Sequence, residues 1–506
     1  MFAKVISASV IGIEATPIEV EVDISRGLPS FIIVGLPESS VKESKERVQS
    51  ALKNIGINLP LKKIRINLAP ADIRKEGTLY DLPIALAILT ATGYIPSEKV
   101  QNFLILGELS LDAQIRKVKG VLPIALLTKK LNKKGIILPF KNAPEAAIVK
   151  DIEVFGFKNL IDVIEFLRGE KEIEKFQINL EDLWKKEDFE IDFEDVKGQE
   201  YVKRALEIAA AGAHNILMIG SPGSGKTMLA RRLPTILPKM TIEEAIETTK
   251  IHSVAGILPE DKAIITQRPF RAPHHTISVN GLIGGGNPPK PGEVSLAHNG
   301  VLFLDEFPEF RRDAIEGLRQ PLEDGFVTIS RAKHTVRYPS RFMLVIASNP
   351  CPCGWYGDPV NECTCSPQAR QKYLSKLSGP ILDRIDIHIE VRRLTFEELA
   401  KKKPGEKSEM IRKRVEKARQ IQLERFKGKK IFFNSQMSRK DMEKYCKIDT
   451  TGQKLLQTAI DQYGLSARAY DKILKVARTI ADLEESENIK NHHLAEAIQY
   501  RIMNLT

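Results

Sequence analysis

The chain has 506 residues, 42% of them apolar and 28% charged. That balance excludes disordered, collagen-like and membrane-spanning chains and fits a globular protein of about three domains. The net charge of +11 favours polyanionic partners. Five cysteines, four of them between Cys351 and Cys365, exclude a disulfide framework; they point to a reducing compartment, the cytoplasm, and to a local metal site.

No stretch reaches the roughly 18 apolar residues of a membrane span, so no membrane partner is expected. The apolar run after Met1 is cut short by Glu14, so no signal peptide is expected. Residues 1–170 read as an α/β domain. Val5–Ile13, Ile18–Val22 and Phe31–Val34 have strand composition, and Glu43–Ile55 has helical spacing at Val48, Ala51, Leu52 and Ile55. Leu82–Thr90 is an apolar, Ala-rich buried helix, and Gly135–Pro139 a further strand. Residues 171–192, dense in Glu, Asp and Lys, form a linker. Residues 193–392 alternate strands and helices as a parallel nucleotide-binding sheet does. Residues 393–506 are helical, with apolar periodicity in Arg412–Phe426, Thr451–Tyr463, Ala467–Leu483 and Asn491–Met503.

Asn215–Ile219 is a buried strand followed by Gly220-Ser221-Pro222-Gly223-Ser224-Gly225-Lys226-Thr227. This is the G-x-x-x-x-G-K-[ST] loop, in which backbone N–H groups and a helix N-terminus cradle phosphates. Lys226 is expected to reach the β- and γ-phosphates of ATP, and Thr227 to coordinate Mg²⁺. A second apolar strand, Gly300–Leu304, ends in Asp305 and Glu306; Asp305 suits the Mg²⁺ shell and Glu306 the attacking water. A third, Phe342–Ala347, ends in Ser348-Asn349, and Asn349 is placed to hold that water.

This order of motifs resembles the AAA+ ATPases. The resemblance implies that Arg384, in Leu382-Asp383-Arg384-Ile385-Asp386, is a finger reaching a neighbouring subunit's ATP. It implies that Arg468, in Leu465-Ser466-Ala467-Arg468-Ala469, is the sensor arginine of a helical lid (residues 393–506). A finger acting in trans implies a ring, a homo-hexamer. Between the phosphate loop and the acidic strand, Arg268–Thr276 and Gly281–Gly286 are rich in Gly and Pro and read as a projecting loop. Phe326–Ser330 and Thr335–Tyr338 form a hairpin with Arg331-Ala332-Lys333-His334 at its tip. Arg271, His274, His275, Arg331 and Lys333 are therefore the candidate DNA contacts, where charge neutralisation of phosphates supplies affinity.

These segments, with Gly292–Gly300, resemble the magnesium-chelatase-like branch. Gly107–Ile115 and Lys75-Glu76-Gly77 resemble the Lon protease domain, of ribosomal S5 domain 2-like fold. A Lon-like domain ahead of a chelatase-like AAA+ core is the arrangement of the ComM (YifB-like) family. That family implies an ATP-driven branch-migration helicase acting on single-stranded or branched DNA in recombination and natural transformation, with recombination proteins as possible partners. Leu79 stands where Lon has its serine and Leu122-Pro123 where it has its lysine, so peptide hydrolysis has no nucleophile or base. A chelatase-type remodeller and a protein unfoldase remain alternatives.

Cys351-Pro352-Cys353 and Cys363-Thr364-Cys365 flank residues 354–362, in which Gly354, Gly357 and Pro359 let the chain turn back. Four thiolates enclose Zn²⁺ tetrahedrally and leave no open position, so the expected role is structural.

Overall fold

The computed structural model describes the chain except residues 180–183, 185–188, 261, 332–333, 378, 395–403, 430 and 502–506. It divides into two compact units, Met1–Lys186 with Ala245–Ile265, and Glu187–Glu244 with Thr266–Thr506. Among the described residues no helix is long and apolar enough to cross a membrane.

The first unit is built on strands β1 (Phe2–Ile11), β2 (Glu14–Ser25), β3 (Ser30–Val34), β4 (Lys63–Ala69), β5 (Phe103–Ile105), β6 (Gly135–Pro139) and β7 (Glu153–Phe157), in the sheet order β3-β4-β2-β1-β5-β6-β7. β1 and β2 pair antiparallel along their whole length, so residues 12–13 form a tight turn rather than the end of the first strand. Alternation along β2 buries Ile18, Val20, Val22 and Ile24 on one face, as a period of two requires. The helix Asp81–Ala91 packs on that sheet and is buried from Asp81 to Thr90, which is why its sequence is apolar all round. Its one acid is matched: Arg47 forks onto Asp81 at 2.6 and 3.0 Å. Leu79 packs against this core, and Leu122 and Pro123 are buried in the helix Val121–Lys130.

Ala245–Ile265 belongs to this unit through a buried polar contact. The carboxylate of Glu145 accepts the Leu122 N–H at 2.8 Å and the hydroxyl of Ser253. Burial pushes the Glu145 carboxyl up, against the bonds from Ser253, Leu122 and Asn142 that hold it down.

The second unit carries five parallel strands, β8 (Ile216–Ile219), β9 (Phe270–Arg271), β10 (Val301–Leu304), β11 (Met343–Ser348) and β12 (Ile387–Glu390), in the order β9-β10-β11-β8-β12. Every residue of β8, β10 and β11 is buried, the continuous apolar pattern of a sheet covered on both faces. The helices Ser408–Arg425 and Ala467–Leu483 pack on the helix Glu200–Gly212, and their apolar faces join the same buried cluster as the strands. A hairpin pairs Phe326–Arg331 with His334–Pro339. The expected loop at 268–286 is more ordered than its Gly/Pro content implies. It contains β9, which adds to the sheet edge beside β10, and the helix Val279–Ile283, capped by the Ser278 hydroxyl accepting the Gly281 N–H at 3.1 Å.

Candidate nucleotide-hydrolysis site

Parallel register brings the functional residues to one edge. Leu304 lies opposite Ile346 and Ile219 opposite Ser348, so the segments after β8, β10 and β11 leave the sheet side by side at its C-terminal end. Ligands bind at that edge in parallel α/β sheets. Gly220 opens the turn out of β8, and a Cβ there would meet the Val391 carbonyl oxygen at 2.2 Å. Only glycine fits.

Lys226, first residue of the helix Lys226–Arg232, is 8% exposed and folds back onto its own loop. Its ammonium donates to the carbonyls of Gly220 (2.6 Å) and Ser221 (3.0 Å) and lies 3.3 Å from Asn349 Oδ1. Burial lowers its pKa to about 8, although Asp305 and Glu306 pull the other way. Thr227 Oγ1 donates to Asp305 Oδ2 at 2.6 Å. The hard oxygens that Mg²⁺ takes as ligands are therefore already side by side. Glu306 follows with φ +50°, a left-handed conformation costly for a residue with a Cβ, and its carboxylate lies 3.4 Å from His275 Nδ1. The phosphate loop, Thr227, Asp305, Glu306 and Asn349 thus form one group, with His275 added to it.

The other candidates are placed elsewhere. His275 packs against His274 with ring centroids 4.0 Å apart and the planes tilted by 34°, and meets Phe310 edge-on, so the pair continues from the acidic strand end. Arg271 does not stand free: its guanidinium forks onto Glu293 at 2.6 and 2.8 Å. Arg331 is exposed at the hairpin tip, and Lys333 lies outside the described residues. Arg384 pairs with Glu323, and Arg468, 62% exposed, lies 3.4 Å from Asp383.

The four cysteine sulfurs lie within 4.8 Å of one another, with Cys351–Cys353 at 3.4 Å and Cys363 at 3.7 Å from both. Sulfurs bound tetrahedrally at about 2.3 Å from zinc lie roughly 3.8 Å apart. The Trp355 N–H and other backbone donors aimed at Cys353 lower its thiol to about 6, while burial pushes Cys351 up to about 12. Glu484, His492 and His493 also converge, with both His Nε2 atoms 2.9 Å from one carboxylate oxygen. That group is closed to a metal. His493 Nδ1 accepts the Lys490 N–H at 2.9 Å, so its Nε2 carries the proton that Glu484 accepts.

Comparison with known proteins agrees with this geometry. Residues 192–399 match the family described as magnesium chelatase, subunit ChlI, residues 20–142 that of subunit ChlI of Mg-chelatase, and residues 405–501 the ChlI C-terminal family. Fold, site and matches together define a magnesium-chelatase-like AAA+ ATPase. Competence protein ComM of Haemophilus influenzae is 46% identical over 99% of this chain and 97% of its own length. YifB of Escherichia coli is 43% identical over 97% of this chain and 95% of its own. The chain belongs to the ComM/YifB family. The 38 kDa magnesium-chelatase subunit of Rhodobacter capsulatus is 26% identical over 31% of this chain and half of its own.

Proposed function

We propose that this protein is a Mg²⁺- and ATP-dependent motor on DNA, a hexameric branch-migration helicase of recombination and natural transformation working in the cytoplasm. The observation that carries the reading is the convergence of Lys226, the Thr227–Asp305 pair, Glu306 and Asn349 at one sheet edge. Lys226 presents charge to the β- and γ-phosphates, and the loop's amides take their oxygens. Thr227 and Asp305 would hold Mg²⁺, which supplies charge neutralisation of the phosphates when bound. Glu306 orients and deprotonates the attacking water, and Asn349 fixes its position. Arg384 acts in trans and Arg468 from the helical lid. Release of Arg384 from Glu323 frees it for a neighbouring subunit's nucleotide.

The first unit serves as a Lon-like scaffold without peptidase chemistry. Zinc held by Cys351, Cys353, Cys363 and Cys365 braces the insert. DNA contacts come from His274, His275, Arg331 and Lys333, with Arg271 reinforcing the loop through Glu293. The near-complete match to the competence protein, against a partial match to the chelatase subunit, favours DNA over a porphyrin substrate. ATPase rates measured with and without forked or four-way DNA, alongside a strand-displacement assay, test the reading. Hydrolysis that ignores DNA and yields no displacement refutes it.

A further inference from the structure

The cysteine insert touches the nucleotide site directly. Its first cysteine follows Asn349 by two residues, and Gly354, in the turn closed by its N–H onto the Cys351 carbonyl at 3.0 Å, has φ +85°. A Cβ on Gly354 would lie 2.7 Å from both Cδ and Cγ of Pro222, in the middle of the phosphate loop, and 3.9 Å from Asn349 Cγ. Pro222 is a rigid ring, so no side-chain rotation relieves that contact. Asp358 makes a second contact. Its carboxylate lies near the Ser221 hydroxyl, with Oδ1 accepting the N–H groups of Asn361 (2.8 Å) and Val360 (3.0 Å) and Oδ2 left without a hydrogen-bond partner among the described residues. The chain between the two C-x-C pairs therefore abuts two consecutive residues of the loop that must curl around phosphate.

We propose that this insert is a wall of the nucleotide site. Gly354 and Asp358 are positioning residues for Pro222 and Ser221, and metal occupancy of the four thiolates sets nucleotide affinity. The proposal rests on reading Gly220–Thr227 as the nucleotide loop and the cysteines as a zinc site. Four sulfurs drawn onto one ion fix the turn between them, and that turn carries Gly354 and Asp358 against the loop. Without the ion nothing ties the four sulfurs to one centre, the turn is free to widen, and the loop's amides lose a preorganised arrangement they must then regain on binding.

The test uses the full chain, a fluorescent ADP analogue for nucleotide Kd and elemental analysis for metal. The expected result is about one zinc per chain, with removal by chelator raising Kd about tenfold and zinc alone restoring it. Gly354→Ala raises Kd by about tenfold with zinc retained. Asp358→Asn, which leaves thiolates and turn in place, raises it about threefold and decides the matter if Gly354→Ala loses metal or fails to fold. Zinc that leaves while Kd stays within about twofold, with both variants equally silent, overturns the inference and leaves the nucleotide reading intact. Protein that carries no metal yet binds nucleotide overturns the zinc site itself, and protein that binds no nucleotide in any form overturns the proposed function.

Discussion

His275 Nδ1 lies 3.4 Å from Glu306 Oε2, and the two residues hang from adjacent strands, β9 and β10. The imidazole is thus within ion-pair distance of the carboxylate proposed to activate water, and it belongs to the loop proposed to meet DNA. Replacing His275 with Ala is expected to lower the DNA-stimulated kcat by about tenfold while nucleotide Kd stays within about twofold. A variant whose Kd rises and whose kcat holds would place His275 in binding instead.

Glu306→Gln keeps the shape of the side chain and removes its basicity. Hydrolysis should fall by about 10²- to 10⁴-fold with nucleotide binding retained. Rapid-quench turnover beside equilibrium binding separates the two quantities. Near-normal turnover by the variant assigns the base elsewhere.

Lys226 gives a pH signature of two opposite signs. Its folded pKa is about 8 against 10.5 in the free side chain, so the folded site binds its proton less well than the unfolded chain does. Without nucleotide, that penalty on stability is present in full below about pH 8 and is relieved as pH rises towards the unfolded value. Nucleotide affinity moves the other way, because a neutral amine offers no charge to phosphate; Kd should rise between about pH 7 and about pH 9.5. Calorimetric titrations across that range that return a flat Kd would show that Lys226 keeps its charge.

In the first unit, Arg47→Ala strands the buried Asp81 carboxylate. Loss of about 3–5 kcal/mol is expected, read as a lower melting temperature of the full chain. The double change Arg47→Met with Asp81→Leu should recover most of it, since two apolar side chains leave no uncompensated charge. A single variant that melts as the parent does would mean that water reaches Asp81.

The elements with strong local patterns were legible from the chain alone. The helix at 81–91, the buried strands β8, β10 and β11, the hairpin and four of the C-terminal helices follow from apolar spacing, and the phosphate loop from its glycines; the short helix Arg439–Tyr445 does not. Contacts made by distant segments left no such trace. β9 is two residues between prolines and exists only because β10 offers it an edge. Arg271 looks like a free cation in a basic loop, yet Glu293 comes back to it once the helix after Gly292 begins. The sequence around His275 offers no cue that Glu306 is its neighbour, nor that around Pro222 that Gly354 rests on it. Both pairings arise from strand order, which periodicity does not encode.

The membership of Ala245–Ile265 has a practical consequence for anyone cutting the gene. A fragment ending in the acidic linker omits the segment that supplies the Ser253 hydroxyl, and exposes the carboxyl of Glu145 to a void or to solvent. The first unit is not self-contained: its polypeptide leaves, contributes to the ATPase sheet, and returns to complete it. An amino-terminal piece is best sought by grafting 245–265 back on through a short flexible connector.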